Sequence, residues 1–133
     1  MIPLVKPYIA PKEEMMPAIE EILYSGYIAE GQAVYDFEDD LKRFIGNPDL
    51  LAVNSGTAAL HIALSLLNIG EGDEVISTAM TAEPTNTTIA LTGAKIVWGD
   101  VDERTGLLSP NSVREKITDR TKAIMLVHYA GMV

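Results

Sequence analysis

The sequence AVNSGTAAL (residues 52–60) decides the expected fold, because an apolar run passes through a short polar turn directly into a helix. The run LLAV (50–53) predicts a buried strand, and the helix is expected over Thr57 to Leu67. This helix is apolar nearly all round, which predicts that it is buried. The segment begins an alternation of strands and helices that continues along the chain.

Three further apolar runs bounded by turn residues predict strands, namely EVIS (74–77), KIVW (95–98) and AIMLV (123–127). Helices are expected between them, from about Thr85 to Leu91 and from Ser109 to Lys116. Strands that alternate with helices in this way indicate an α/β fold, with a mainly parallel sheet, flanking helices and right-handed crossovers.

The sequence before residue 50 has a different character. Three prolines among the first dozen residues indicate an extended arm. Amphipathic helices are expected from about Lys12 to Tyr24 and from about Val34 to Ile45. We therefore divide the chain into an N-terminal arm and helix, residues 1–32, and an α/β domain, residues 33–133.

The turn between the first strand and its helix is a candidate anion site. Gly56 allows close approach to the backbone, and Ser55 and Thr57 offer hydroxyl groups. The first N–H groups of a helix lack intrahelical acceptors and carry partial positive charge, so they favour an anion, most naturally a phosphate. A simpler alternative is that Ser55 or Thr57 only caps the helix. The position at the C-terminal end of a strand favours ligand binding.

Four other polar side chains are candidates for chemistry. Glu83 follows the strand EVIS in the loop MTAEPTN, where its carboxylate is expected to face the same sheet edge as Gly56. It is a candidate substrate-binding residue. His128 also follows a strand, although a lone histidine is more often a packed, hydrogen-bonded residue. Lys95 and Lys122 begin strands at the opposite edge, which favours solvated lysines over Schiff-base nucleophiles.

Composition excludes several classes of function. The chain has 133 residues, with 10 Lys+Arg against 19 Asp+Glu and a formal net charge of −9, and it lacks a basic patch, so nucleic-acid binding is not expected. It contains no cysteine, which excludes thiolate zinc sites. Because it has only two histidines, we do not expect a metal site. No apolar stretch reaches the length of a membrane span and no signal peptide is evident, which predicts a cytoplasmic location.

Several ordered segments together resemble one enzyme family, the DegT/StrS-type sugar aminotransferases. These are fold-type-I enzymes that use pyridoxal 5′-phosphate (PLP) and transaminate keto-sugars attached to nucleotides. The resemblance implies that the chain forms the N-terminal part of a fold-type-I PLP-transferase large domain, so that residues 33–133 are an incomplete PLP-binding domain. The segments are NSGTAALHIAL (54–64), IGEGDEVIST (69–78), TGAKIVWGDVD (92–102), TKAIMLVHYAG (121–131) and SGYIAEG (25–31), the last being similar to the family's S-G-W-x-x-x-G.

The resemblance also implies roles for individual residues. Gly56 and Thr57, with Ser55, would hold the PLP phosphate through N–H groups and a hydroxyl. Tyr27 and its neighbours would lie near the nucleotide-sugar. Ala82 stands where the family usually carries an aromatic residue stacked on the pyridine ring, so this part of the cofactor pocket departs from the family pattern.

The family's Schiff-base lysine, and the aspartate that pairs with the pyridine nitrogen, come after the segment VHYAG (127–131). The chain is therefore expected to be an incomplete portion without a catalytic residue of its own. The implied activity is transamination of a keto-sugar nucleotide from an amino donor, in amino-deoxysugar or surface-polysaccharide synthesis. The assembly would be a homo-oligomer or a complement with a C-terminal chain. Two alternatives stay open: a PLP-type sugar dehydratase with histidine in place of the lysine, and a non-catalytic binding module.

Overall fold

The computed structural model describes residues 7–133, which form two compact units that meet in sequence between Ala52 and Val53. The first unit holds the helices α1 (Lys12–Tyr24) and α2 (Gln32–Ile45). The predicted division after residue 32 stays a prediction. The second unit contains α3 (Gly56–Leu66), β1 (Glu74–Ser77), α4 (Glu83–Leu91), β2 (Lys95–Trp98), α5 (Pro110–Lys116), β3 (Thr121–Ile124) and a short 3₁₀ turn, Tyr129–Gly131.

The first unit confirms both predicted helices, α1 with the predicted bounds. Gly46 ends α2 in the left-handed conformation, with φ of 75°, and donates its N–H to the Lys42 carbonyl at 2.9 Å. A side chain with a Cβ is strained there, so glycine suits this position. Glu38 is the one buried residue of α2, and its Oε1 accepts a hydrogen bond from the Ala52 N–H at 2.7 Å.

The second unit is built on a parallel sheet in the order β2-β1-β3. The central strand β1 pairs in parallel with both neighbours, and in this register Val75 lies beside Ile96 on one side and Ala123 on the other. All four residues of β1 are buried. A continuous apolar run is typical of a central parallel strand, and the predicted α/β class with a mainly parallel sheet is confirmed.

The helices α3 and α4 pack against each other, and α4 also packs against β2. Their C-terminal turns are adjacent, because a Cβ added to Gly70 after α3 would lie 3.7 Å from the Thr92 carbonyl oxygen after α4. The two helices therefore run side by side in the same direction, with both N-termini at the carboxyl edge of the sheet. Beneath them lies the hydrophobic core, formed by Leu64, Ile69, Val75, Ile89 and Ala94.

Two expectations about the segment around residue 52 are wrong. The run LLAV (50–53) is not a strand, because among residues 7–133 no neighbouring strand supplies the hydrogen-bond ladder that an extended segment needs. The helix α3 is also not buried all round. Only Leu64 of this helix is buried, while Ile62 and Leu66 are exposed, since one face alone packs on the core.

At the amino edge of the sheet, a buried carboxylate joins three segments of the chain. Glu74, on β1, is 2% exposed, and its Oε1 lies 3.1 Å from Lys95 Nζ and 2.9 Å from Arg120 Nη2. Its Oε2 accepts a hydrogen bond from the Thr118 hydroxyl at 2.7 Å. The Thr118 hydrogen bond, helped by the one from Lys95, holds the pKa of Glu74 below its ordinary value although burial alone would raise it.

Replacing this carboxylate by a neutral amide is expected to destabilise the fold. Glu74→Gln removes the charge that Lys95 and Arg120 face and turns an amide donor toward them, so the thermal unfolding midpoint should fall. The matched control is Glu71→Gln in the exposed turn before β1, which should leave the midpoint nearly unchanged. Equal midpoints for the two variants would contradict this role for Glu74.

The same substitution predicts a pH dependence. Because folding lowers the pKa of Glu74, its stabilisation is complete above the unfolded-state pKa of about 4.3. The stabilisation is lost as the pH falls through the lower folded-state pKa. The difference in midpoint between the parent protein and Glu74→Gln should therefore be constant near neutral pH and shrink in acid. A difference that stays constant down to about pH 2, well below that unfolded-state value, would show that the charge is not responsible.

Candidate functional site

The start of α3 is the centre of the candidate site, and Ser55 is its N-cap. The backbone of Ser55 is extended, and its Oγ accepts a hydrogen bond from the Ala58 N–H at 3.1 Å. The hydroxyl itself donates to Asn54 Oδ1 over a longer distance, 3.4 Å. Ser55 therefore caps the helix, as the capping alternative predicts, whereas the view that capping is its whole role stays a prediction. Capping does not exclude an anion site, because the cap satisfies only one of the free N–H groups at the helix start.

Two backbone donors remain available. Within residues 7–133, the N–H groups of Gly56 and Thr57 have no hydrogen-bond acceptor. No acidic side chain lies in the first turn of α3 to neutralise their partial positive charge. The space beside Gly56 is open, because a Cβ built there would meet no atom within 4 Å. The helix start can therefore receive an anion at its two exposed donors.

Ala82 and Glu83 lie at the start of the neighbouring helix. α4 begins at Glu83, two residues earlier than predicted, so Glu83 is the first helical residue rather than part of a loop, and Ala82 is the N-cap. Pro84 fits this first turn because its position needs no N–H donor. The Glu83 carboxylate accepts a hydrogen bond from the Thr87 hydroxyl one turn later. Since α3 and α4 run in the same direction, both residues lie at the sheet edge where α3 begins.

Polar side chains tie together the loop between β1 and α4. The Ser77 hydroxyl donates to Asn86 Oδ1 at 2.7 Å, and Asn86 Nδ2 donates to the Thr78 carbonyl oxygen at 3.0 Å. The Thr81 and Thr85 hydroxyls lie 2.9 Å apart. Sequence reasoning assigned no role to these residues. In the sequence, Asn86 begins the triplet Asn-Thr-Thr, which matches a glycosylation signal and gives no indication of these contacts.

Tyr27, the residue assigned to the substrate, lies in the first unit and is 72% exposed. It lines a cavity of about 580 Å³ whose other walls include Ile22, Ile28 and Phe37. The surrounding turn is tightly packed, because a Cβ added to Gly31 would lie 3.0 Å from the Tyr27 Cβ. The close approach explains why glycine ends the SGYIAEG segment.

The remaining candidates lie away from the start of α3. Lys95 begins β2 and pairs with Glu74 at the amino edge, while Lys122 is exposed on β3. His128 is exposed rather than packed, with its Nδ1 3.1 Å from the Met132 carbonyl oxygen. In the described part of the chain, no cluster of three or more histidine or acidic side chains could hold a metal ion. None of the helices within residues 7–133 is long and apolar enough to span a bilayer.

A parallel α/β sheet with an open helix start at its carboxyl edge is an arrangement in which α/β proteins commonly bind ligands, phosphates among them. Residues 10–133 match the model of the DegT/DnrJ/EryC1/StrS aminotransferase family, and the chain belongs to this family. The family resemblance drawn from the ordered sequence segments is thereby confirmed.

Solved structures, among them those of sugar aminotransferases, share the fold. CalS13 from Micromonospora echinospora is 38% identical, with a TM-score of 0.91, over 100% of this chain and 36% of its own. AtS13 from Actinomadura melliaura is 40% identical, with a TM-score of 0.88, over 97% of this chain and 34% of its own. Spr1654 from Streptococcus pneumoniae in its PMP-form is 34% identical, with a TM-score of 0.91, over 100% of this chain and 33% of its own. The chain thus spans about a third of the length of these structures.

Removing the cap hydroxyl is expected to destabilise α3. Ser55→Ala leaves the Ala58 N–H without its acceptor and should lower the free energy of unfolding by about 1 kcal/mol. The matched control is Ser65→Ala in the same helix, where the hydroxyl only donates back to the His61 carbonyl. Alanine is the better helix former there, so Ser65→Ala should not destabilise. Chemical denaturation of both variants measures the difference, and equal values would show that Ser55 does not act as a cap.

Proposed function

We propose that this chain supplies the cofactor-phosphate site of a PLP-dependent aminotransferase that moves an amino group from an amino donor to a nucleotide-linked keto-sugar. The observation that carries the proposal is the open start of α3 in a chain of an aminotransferase family. Among residues 7–133, the N–H groups of Gly56 and Thr57 have no hydrogen-bond acceptor there. The structures matched include Spr1654 in a PLP-form and a PMP-form, which supports PLP as the cofactor.

The residues present fit a phosphate group in number and in charge. The N–H groups of Gly56 and Thr57 and the Thr57 hydroxyl are three donors without acceptors in the described part of the chain. A hydrogen bond to a charged group contributes about 1.5–3 kcal/mol. The positive end of the helix dipole adds about 0.3–1 kcal/mol. The Ser55 hydroxyl holds its present acceptor only at 3.4 Å, so its proton is free to turn toward the phosphate.

The neighbouring helix start is proposed to face the rest of the cofactor and the substrate. Ala82 offers a methyl group where an aromatic side chain would cover the cofactor ring, and this leaves the ring face to another group. Glu83 places a carboxylate beside Ala82, and Tyr27 belongs to the proposed substrate side. When bound, PLP supplies a conjugated ring that accepts electrons while the amino group is moved.

In this proposal, the residues of this chain bind the cofactor and the substrate, and none of them is catalytic. Lys95 forms an ion pair with Glu74 at the amino edge of the sheet, and Lys122 lies on β3. The chain spans about a third of the length of the structures it matches.

Filling the open space at the helix start should weaken cofactor binding without unfolding the protein. Gly56 does not have a positive φ and its Cβ position is open, so Gly56→Trp fits the local backbone. The indole would occupy the proposed phosphate position. Equilibrium dialysis with PLP, on the protein that carries this chain, should show a Kd raised about tenfold or more, as expected for the loss of one charged hydrogen bond.

The matched control is Asp119→Trp, which places the same bulk on the exposed turn before β3, at the opposite edge of the sheet. It should leave the Kd unchanged. If Gly56→Trp also binds PLP with the parental Kd, the phosphate site has been placed wrongly. If the parent protein binds no PLP, the proposed function is wrong and a non-catalytic binding module is favoured.

A further inference from the structure

The side chain of Asn86 makes two hydrogen bonds whose geometry fixes the orientation of its amide. The Thr78 carbonyl oxygen can only accept, so Nδ2 must face it, at 3.0 Å. The Oδ1 atom then faces the Ser77 hydroxyl, which donates at 2.7 Å. Ser77 is fully buried and Thr78 is 3% exposed, so both partners belong to the rigid end of β1. Aspartate at position 86 would keep one of these contacts and turn the other into a repulsion between two acceptors.

These two hydrogen bonds close a loop of the chain. Asn86 lies in the first turns of α4, and its partners are the last residue of β1 and the residue that follows. The segment 79–82 is therefore held between a fixed strand end and a fixed helix. Two local hydrogen bonds complete the closure, from the Met80 N–H to the Thr78 hydroxyl at 3.1 Å and between the Thr81 and Thr85 hydroxyls at 2.9 Å.

The closed loop ties the start of α4 to the end of β1. Ala82 and Glu83 have no side-chain hydrogen bond to β1 within residues 7–133, and the one side-chain hydrogen bond of Glu83 in that range is with Thr87 of its own helix. α4 as a whole is placed by its packing on α3 and β2, and the link through Asn86 adds the side-chain connection between its first turns and the end of β1. Loss of the link would leave the fold of the sheet intact, because the ladders between β1 and its neighbours do not involve this side chain.

We propose that Asn86 is a positioning residue, which helps to hold Ala82, on the proposed cofactor side, and Glu83, on the proposed substrate side, at the carboxyl edge of the sheet without touching the cofactor. The inference rests on the proposed function for its ligand, PLP. The link itself is a property of this chain and can be measured without the cofactor.

The experiment compares Asn86→Ala and Asn86→Asp with the parent protein in two measurements. The first is hydrogen–deuterium exchange of residues 79–82 without cofactor, which should become about tenfold faster in both variants because the loop opens more often. The second is the Kd for PLP alone, which should rise about tenfold. Thr92→Ala is the control, because it removes a comparable hydrogen bond to the Ile89 carbonyl at the far end of α4. It should change neither quantity.

Parental exchange rates in segment 79–82 of both Asn86 variants would overturn the link, whatever the cofactor does. Faster exchange with a parental Kd would overturn the positioning role toward PLP. A parent protein that binds no PLP would overturn the proposed function and, with it, this role. If neither Asn86 variant folds, Ser77→Ala removes the partner hydroxyl and should give faster exchange in the same segment, and parental exchange in that variant would overturn the link.

Discussion

The pairing of β1 on both sides is the constraint on which the rest of the second unit depends. Parallel strands cannot be joined by a tight turn, so each partner of β1 has to return through a crossover. The crossover from β1 to β2 is α4, and its start is therefore brought to the carboxyl end of β1. The helix α3 packs beside α4 in the same direction. In this way a hydrogen-bond ladder in the core decides where two helix starts come together at the surface.

The two edges of this sheet have opposite chemistry. At the amino edge, Glu74 brings a buried negative charge to Lys95 and Arg120 and satisfies it completely. At the carboxyl edge, the backbone donors at Gly56 and Thr57 have no acceptor in the described part of the chain. A satisfied buried cluster stabilises the fold. The exposed donors at Gly56 and Thr57 can bind water, and an anionic ligand can replace that water. The contrast separates the stabilising side of the unit from the side proposed to bind.

The sequence predicts the elements best where local signals agree. EVIS and KIVW form β1 and β2 with the predicted bounds, because turn residues bound an apolar run on both sides. LLAV has the same apolar character and forms no strand, since a strand exists only when a neighbour supplies its ladder. β3 is shifted toward Thr121 for the same reason, because its register is set by pairing with Glu74. Pairing is a tertiary property that a single segment does not encode.

In the candidate site, too, some features follow from the local sequence and others depend on tertiary contacts. The donor groups at Gly56 and Thr57 follow from the S-G-T turn before a helix, and they lie where the sequence places them. The link from Asn86 to the end of β1 joins residues eight and nine positions apart, and it depends on the helix beginning at Glu83 rather than at Thr85. Neither the start of that helix nor the direction of the amide could be inferred from residue types alone.

The strand order β2-β1-β3 also has a consequence for the synthesis of the chain. β1 meets its first partner soon after it is made, but its second partner begins only at Thr121. Roughly two dozen residues separate the end of β2 from that point, which corresponds to about one to five seconds of translation. During this interval the most buried strand of the unit has one unpaired edge. A nascent chain is therefore most prone to misassociation in this interval, before Arg120 has emerged to pair with Glu74.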